Sequence, residues 1–125
     1  NIPPPVKPPP TPPPPNATNC NQQTKSGGEG VDNNIVVLGT QSGMVSLAYN
    51  MESVPDKLEV FYEGNLIAST FSVSGNDNGF VGGSNQAGAS GYINFLYQYH
   101  SDQFVTVRVT GPQGTSWTYV VSCPV

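Results

Sequence analysis

The chain reads as an all-β protein, an antiparallel two-sheet β-sandwich preceded by a polyproline II rod. Three observations carry that reading. Ten of the thirteen prolines fall within the first fifteen residues, and proline has no backbone N–H to give to a helix or a sheet ladder. From Val31 onward apolar and polar residues alternate with period two, the pattern of half-buried strands. Gly, Asn, Asp and Pro recur between those runs at short intervals, as in chains built from many short strands.

The elements follow in order. Residues 1–15 are expected to form polyproline II, with about 3.1 Å of rise per residue and hence a semi-rigid rod of roughly 45 Å. Residues 16–30, NATNCNQQTKSGGEG, read as a polar connector that carries the first cysteine. NNIVVLGT predicts a strand over 33–40. GMVSLAYNM puts Val45, Leu47, Tyr49 and Met51 on one face against Ser46, Ala48 and Asn50. After the Pro55-Asp56 turn, KLEVFYEG sets Leu58, Val60 and Tyr62 against Lys57, Glu59, Phe61 and Glu63. Glu63-Gly64-Asn65 is a tight turn into LIASTFSV, which makes a hairpin. Residues 74–91 are too rich in Gly, Ser and Asn for regular structure and read as a long loop. GYINFLYQY then places Ile93, Phe95, Tyr97 and Tyr99 together, and QFVTVRVTG turns Val105, Val107 and Val109 inward. Gly111-Pro112-Gln113-Gly114 leads into TSWTYVVSC, where Trp117, Tyr119, Val121 and Cys123 share a face. Seven or eight short strands and no helix fit two packed sheets, in an immunoglobulin-like or jelly-roll sandwich. The division is a proline-rich segment and connector over 1–19 and a sandwich domain over 20–125.

Composition narrows the function. From Asn16 onward three basic residues stand against eight acidic ones, and the scattered lysines and arginine offer no footprint for nucleic acid. No apolar run approaches the ~20 residues of a membrane span, and a start at Asn reads as a processed product or a fragment. The two cysteines, Cys20 and Cys123, stand near the ends of the folded part. As a disulfide they would close a loop of about 100 residues, worth roughly 4–5 kcal/mol in the chain-entropy model. Asn16-Ala17-Thr18 is a glycosylation sequon, and sequon, disulfide and proline rod together point to an extracellular setting.

PPPVKPPPTPPPP, residues 3–15, resembles the proline repeats of extensins and related hydroxyproline-rich cell-wall and matrix glycoproteins. That resemblance implies hydroxylation and glycosylation of prolines such as Pro4, Pro5, Pro9, Pro10, Pro13 and Pro14, and a structural role. The stretches SVPDKLEVFYEGNLIAST and VTVRVTGPQGTSWTYVVSCP are similar to a β-sandwich module of secreted and surface proteins. This second likeness implies fold and compartment and carries no chemistry.

Side chains that could carry chemistry are few. His100, the only histidine, sits in a turn composition before Ser101-Asp102, without the nucleophile and orienting group that a catalytic base requires. No enzyme activity is expected, and no cofactor. Weak calcium candidates are Asp32, beside Glu29 and Asn33, and Asp77, between Asn76 and Asn78; the same residue types also make ordinary turns. Most aromatics fall on inward faces, and Phe61, Phe80 and Tyr92 are expected to point outward. Phe61 lies between Glu59 and Glu63, and a ring on a charged face marks a contact surface. The polyproline rod presents flat ring faces at little entropic cost, so Pro3, Pro8 and Pro12 join Phe61 as the expected assembly surface. The reading is a structural subunit of an extracellular filament or matrix, partnered by copies of itself and bearing covalent glycans. The alternative is a carbohydrate-binding or adhesion module on a proline-rich linker.

Overall fold

The alternation in the sequence becomes an alternation in burial. The computed structural model describes residues 13–14, 17–25, 30–52, 54–72, 79–81, 90–112 and 115–125. Among these lie nine strands: β1 (Thr18–Asn19), β2 (Gln23–Lys25), β3 (Gly30–Val37), β4 (Gly43–Asn50), β5 (Lys57–Tyr62), β6 (Asn65–Ser69), β7 (Ser90–Tyr97), β8 (Phe104–Gly111) and β9 (Thr118–Val121). A single 3-10 turn, Thr70–Ser72, follows β6. One sheet runs β1-β3-β8-β5-β6 and the other β2-β9-β4-β7. Every pairing is antiparallel except the short parallel one of β1 with β3.

The inward faces are those the period-two pattern picked out. Val45, Leu47, Tyr49 and Met51 from β4 and its end are buried, as are Leu58, Val60, Ile93, Phe95, Tyr97, Val105, Val107, Val109, Trp117, Tyr119 and Val121. Together with Val36, Leu38 and Val81 they form one hydrophobic cluster drawn from both sheets, so a single core holds the layers together. Each fully buried aliphatic side chain contributes about 1.5–3 kcal/mol relative to exposure. Trp117 and Tyr119 stack within that core at 5.7 Å between centroids. The Tyr119 hydroxyl meets Thr24 and Asn34 without the geometry of a hydrogen bond, and burial pushes its pKa up to about 12.

The β5–β6 hairpin forms as expected, with Glu63 and Gly64 both at positive φ, 49° and 84°. Two successive left-handed residues make the turn that matches strand twist. Gly64 suits that position, whereas Glu63 adopts it at a cost that its side chain explains below.

Four boundaries differ from the sequence reading. The strand expected over 33–40 runs from Gly30 to Val37, because β8 offers it partners back to Gly111. The polar connector over 16–30 holds two strands, one in each sheet: Thr18 and Asn19 pair with Val36 and Val37, and Gln23–Lys25 pairs with Val120–Thr118. Such short strands leave no periodic trace and exist only because longer strands present free edges. The run LIASTFSV ends as a strand at Ser69, where the buried Thr70 hydroxyl reaches Gly79 O at 2.6 Å and takes the Leu58 N–H at 3.0 Å. The expected loop over 74–91 overlaps β7, which begins at Ser90. Within it Val81 is buried and bridges Asp56. The rest of that loop, 74–78 and 82–89, and the proline rod over 1–12 and Pro15 lie outside the described residues.

Candidate functional site

The two flanks of the molecule are built differently. Each carries one edge strand from each sheet: β1 and β2 on one side, β6 and β7 on the other. On the first flank the edges are two and three residues long. Cys20, in the turn between them, is bonded to Cys123 just beyond β9, with the Cα atoms 5.0 Å apart. The backbone there is tied further, since Cys20 N donates to Val37 O at 3.0 Å and Asn21 N to Val121 O at 2.7 Å.

On the second flank β6 is short and irregular, with a register shift between Val60 and Phe61 of its partner. β7 is different. It spans eight residues, SGYINFLY, and keeps an unbroken register with β4 from Gly43↔Tyr97 to Asn50↔Ser90. It contains no charged residue and no proline, and it lacks the bulge that commonly guards an edge.

Which backbone groups of β7 are free follows from β4. Met44 exchanges both backbone hydrogen bonds with Val125, at 2.8 and 3.0 Å, and Ser46 O accepts from Ser122 N at 2.9 Å. The even-numbered residues of β4 therefore direct their peptide groups toward β9, and the odd-numbered ones toward β7. In the β4–β7 register these odd positions face Ile93, Phe95 and Tyr97. Tyr92, Asn94 and Leu96 thus aim their N–H and C=O groups away from the sheet, where β7 is terminal among the described strands.

The side chains of those same three residues lie on the sheet's outer face. Tyr92 is 67% exposed, Leu96 51% and its cross-strand neighbour Met44 47%. Ser46, Asn94 and Ser122 sit between and beside them, and with Met44 and Val125 they border a shallow groove of about 190 Å³. The described part of this face on β4, β7 and β9 holds apolar, hydroxyl and amide side chains without a formal charge.

A polar corner holds the end of β7. The Glu63 carboxylate accepts the backbone N–H of Asp102 at 2.8 Å and of Ser101 at 3.0 Å, and its other oxygen lies 2.9 Å from His100 Nδ1. These donors, the Asp102 amide first, hold the Glu63 pKa below the usual glutamate value. The Tyr62 hydroxyl donates to Asp102 O at 2.8 Å and accepts His100 N–H at 2.8 Å. Tyr97, edge-on to Tyr62 at 5.2 Å, has its hydroxyl 2.7 Å from Gly39 O and 3.0 Å from Asp102 O. Burial raises the pKa of both tyrosines. His100 is thus part of a corner that fixes the β7–β8 connection, and Glu63 tolerates its left-handed backbone because its carboxylate is tied there.

Asp56 is the one buried carboxylate among the described residues. It accepts a hydrogen bond from the Thr115 hydroxyl, its other oxygen has no partner, and Gly111 lies so close that any Cβ there would collide with it. Burial, and to a lesser degree the charge of Glu52, raises its pKa to about 6.

The remaining sequence candidates fall apart in space. Phe61 is half-buried and lies under the Arg108 guanidinium at 4.6 Å, with Arg108 Nε donating to Asn33 at 3.0 Å. Phe80 is also half-buried, with the Lys57 ammonium 5.7 Å from its ring centre. Asp32 lies half-buried in β3. No group of three or more His, Cys, Asp or Glu able to hold a metal occurs among the described residues. Pro13 and Pro14 are half-buried, and Pro14 O accepts the Ala17 N–H at 3.1 Å in the turn into β1. Asn16, Asp77, Glu29 and Pro3, Pro4, Pro5, Pro8, Pro9, Pro10 and Pro12 lie outside the described residues. The sequence placed Tyr92 outward but not at an edge, because strand order leaves no local signal in SGYINFLY.

No family model matches this chain, and no curated protein or solved structure matches it either. No helix among the described residues is long and apolar enough to cross a membrane.

Proposed function

We propose that this chain is a structural subunit of an extracellular filament or matrix, assembling through its proline rod and sandwich surfaces, and that it is a building piece with no catalytic role. The observation that carries the reading is the eight-residue, uncharged and unbulged edge that β7 forms among the described residues. A secreted monomer pays for such an edge in aggregation risk, and a subunit uses it. The disulfide between Cys20 and Cys123 supports an oxidising compartment, and glycans on Asn16 and the prolines would keep the rod soluble. Of the two sandwich types, the immunoglobulin-like one is favoured: β4 pairs with β7 in one sheet and β5 with β8 in the other, as strands B with E and C with F do in that fold. The first and last long strands depart from it, since β3 lies beside β8 and β9 beside β4. Negative-stain microscopy of full-length protein and of a variant lacking residues 1–15 tests the function. Fibres that shorten or vanish on truncation support it, and protein that stays monomeric at high concentration with its native modifications overturns it.

Tyr92 favours a second reading, a carbohydrate-binding or adhesion module. Tyr92 is 67% exposed on the outer face that also carries Asn94 and Asn50, an aromatic surface with amide donors that suits a sugar ring. Monodisperse protein that binds a glycan array, with loss on Tyr92→Ala, would establish it.

A further inference from the structure

We infer that β7 pairs antiparallel with β7 of a second copy, about a two-fold axis through Asn94, so that the four-stranded sheet of one copy continues into that of the other. The inference rests on the proposal that the chain self-assembles, and it names the surface and the register.

Backbone geometry selects the residues. Tyr92, Asn94 and Leu96 carry the outward peptide groups, as derived from the β4 register. A two-fold axis at Asn94 sets Asn94 opposite its own copy and Tyr92 opposite Leu96 of the other chain. Each of these facing pairs then exchanges both backbone hydrogen bonds, the close pairing of an antiparallel ladder. Because the axis is perpendicular to the sheet, the outer faces stay continuous. The aromatic ring of Tyr92 comes to lie against the exposed Leu96 on both sides of the axis, a favourable cross-strand pair. Asn94 meets Asn94, whose amides can donate and accept in turn. Moving the axis by one residue, to Ile93, slides the strands by two and would set Tyr92 against Asn94 and leave Leu96 facing Ser90, giving up both apolar pairs.

The same features choose a second copy over other occupants. The chain's own proline segment has few N–H groups to give to an edge. A partner chosen by charge finds nothing to recognise, because neither β6 nor β7 carries a charged residue. Two copies of an uncharged edge meet without placing like charges opposite each other, although the chain has a net charge of −4. β6, the neighbouring edge on this flank, is interrupted by its register shift, which leaves β7 as the strand able to pair along its length.

Cross-linking reads the register directly. In a hydrogen-bonded antiparallel pair the facing Cα atoms are about 5.5 Å apart, within the span of a disulfide. Asn94→Cys is expected to give a covalent dimer under a mild oxidant, whereas Tyr92→Cys alone is not, since its copy lies four residues away along the pairing. Mixing Tyr92→Cys with Leu96→Cys restores the cross-link. Asn94→Lys sets two ammonium groups face to face and is expected to weaken dimerisation at least tenfold in sedimentation equilibrium, with an unchanged circular dichroism spectrum. Fibres or oligomers that persist in Asn94→Lys, together with no Asn94→Cys cross-link, overturn this interface and leave the filament reading standing. Dimers that cross-link at Asn94 but never grow further uphold the interface and overturn the filament. Equal cross-linking of Asn94→Cys and Tyr92→Cys overturns the register.

Discussion

The flank of β1 and β2 and the flank of β6 and β7 solve the same problem in opposite ways. Among the described residues both end in terminal strands of the two sheets. On the first, the edges are cut to two and three residues and bolted across the two sheets by Cys20–Cys123. On the second, β7 runs for eight residues with an intact register and no charge. Edge strands that stay long and neutral invite another strand, so the contrast separates a closed side from an open one. The open side is nonetheless firmly held from within. Glu63, Tyr62 and Tyr97 fix the corner at one end of β7, and Thr70, Val81 and Asp56 organise the segment that leads toward its start.

Breaking the closed flank should have the largest effect. Cys20→Ser with Cys123→Ser releases a constraint over 103 residues and is expected to cost about 4–5 kcal/mol, read as a drop in the denaturation midpoint. Amide exchange should rise in β1 and β2 and leave β7 little changed. If β7 loses protection equally, the flanks are not independent.

Next comes the support behind the open flank. The folded-state pKa of Asp56, about 6, lies above its ordinary value of 3.8. Below pH 4 the carboxyl is protonated in both folded and unfolded chains. Between pH 4 and 6 the unfolded chain releases the proton and the folded one keeps it, so stability falls as pH rises. Above 6 the loss is complete, on the order of 2–3 kcal/mol. Asp56→Asn should flatten urea-denaturation stability across that window, and a slope that survives the substitution refutes the assignment. Glu63 has the opposite sign: its pKa is lowered, so its contribution fades only as pH falls below the usual glutamate range.

A smaller change tests the corner. Glu63→Gln keeps the shape but weakens the acceptor for the Ser101 and Asp102 amides. The expected cost is about 1 kcal/mol, because the carboxylate is partly exposed. Exchange at those two amides should quicken first. Smallest in stability is Tyr92→Ser, which removes an exposed ring and should shift folding by less than about 0.5 kcal/mol. Its effect belongs to association, read by sedimentation. A large loss of stability would mean that Tyr92 packs within its own fold.

Much of the fold was legible in the sequence. Period-two alternation marks which side chains are inward because each residue in a strand flips face; Leu47, Val60, Phe95, Val107 and Tyr119 are all buried as that rule requires. The Glu63-Gly64 hairpin turn and the pairing of the two cysteines were equally readable. Four things needed the tertiary structure. The two short strands in the polar connector arise from edges that β3 and β9 offer. The guanidinium over the Phe61 ring comes from Arg108, 47 positions away in sequence. Glu63 gained its role from amides of a distant corner. Above all, β7 is an edge only because of strand order. Alternation is a property of neighbouring residues, but being outermost in a sheet is a relation among strands far apart in the chain, and no local pattern of residues encodes it.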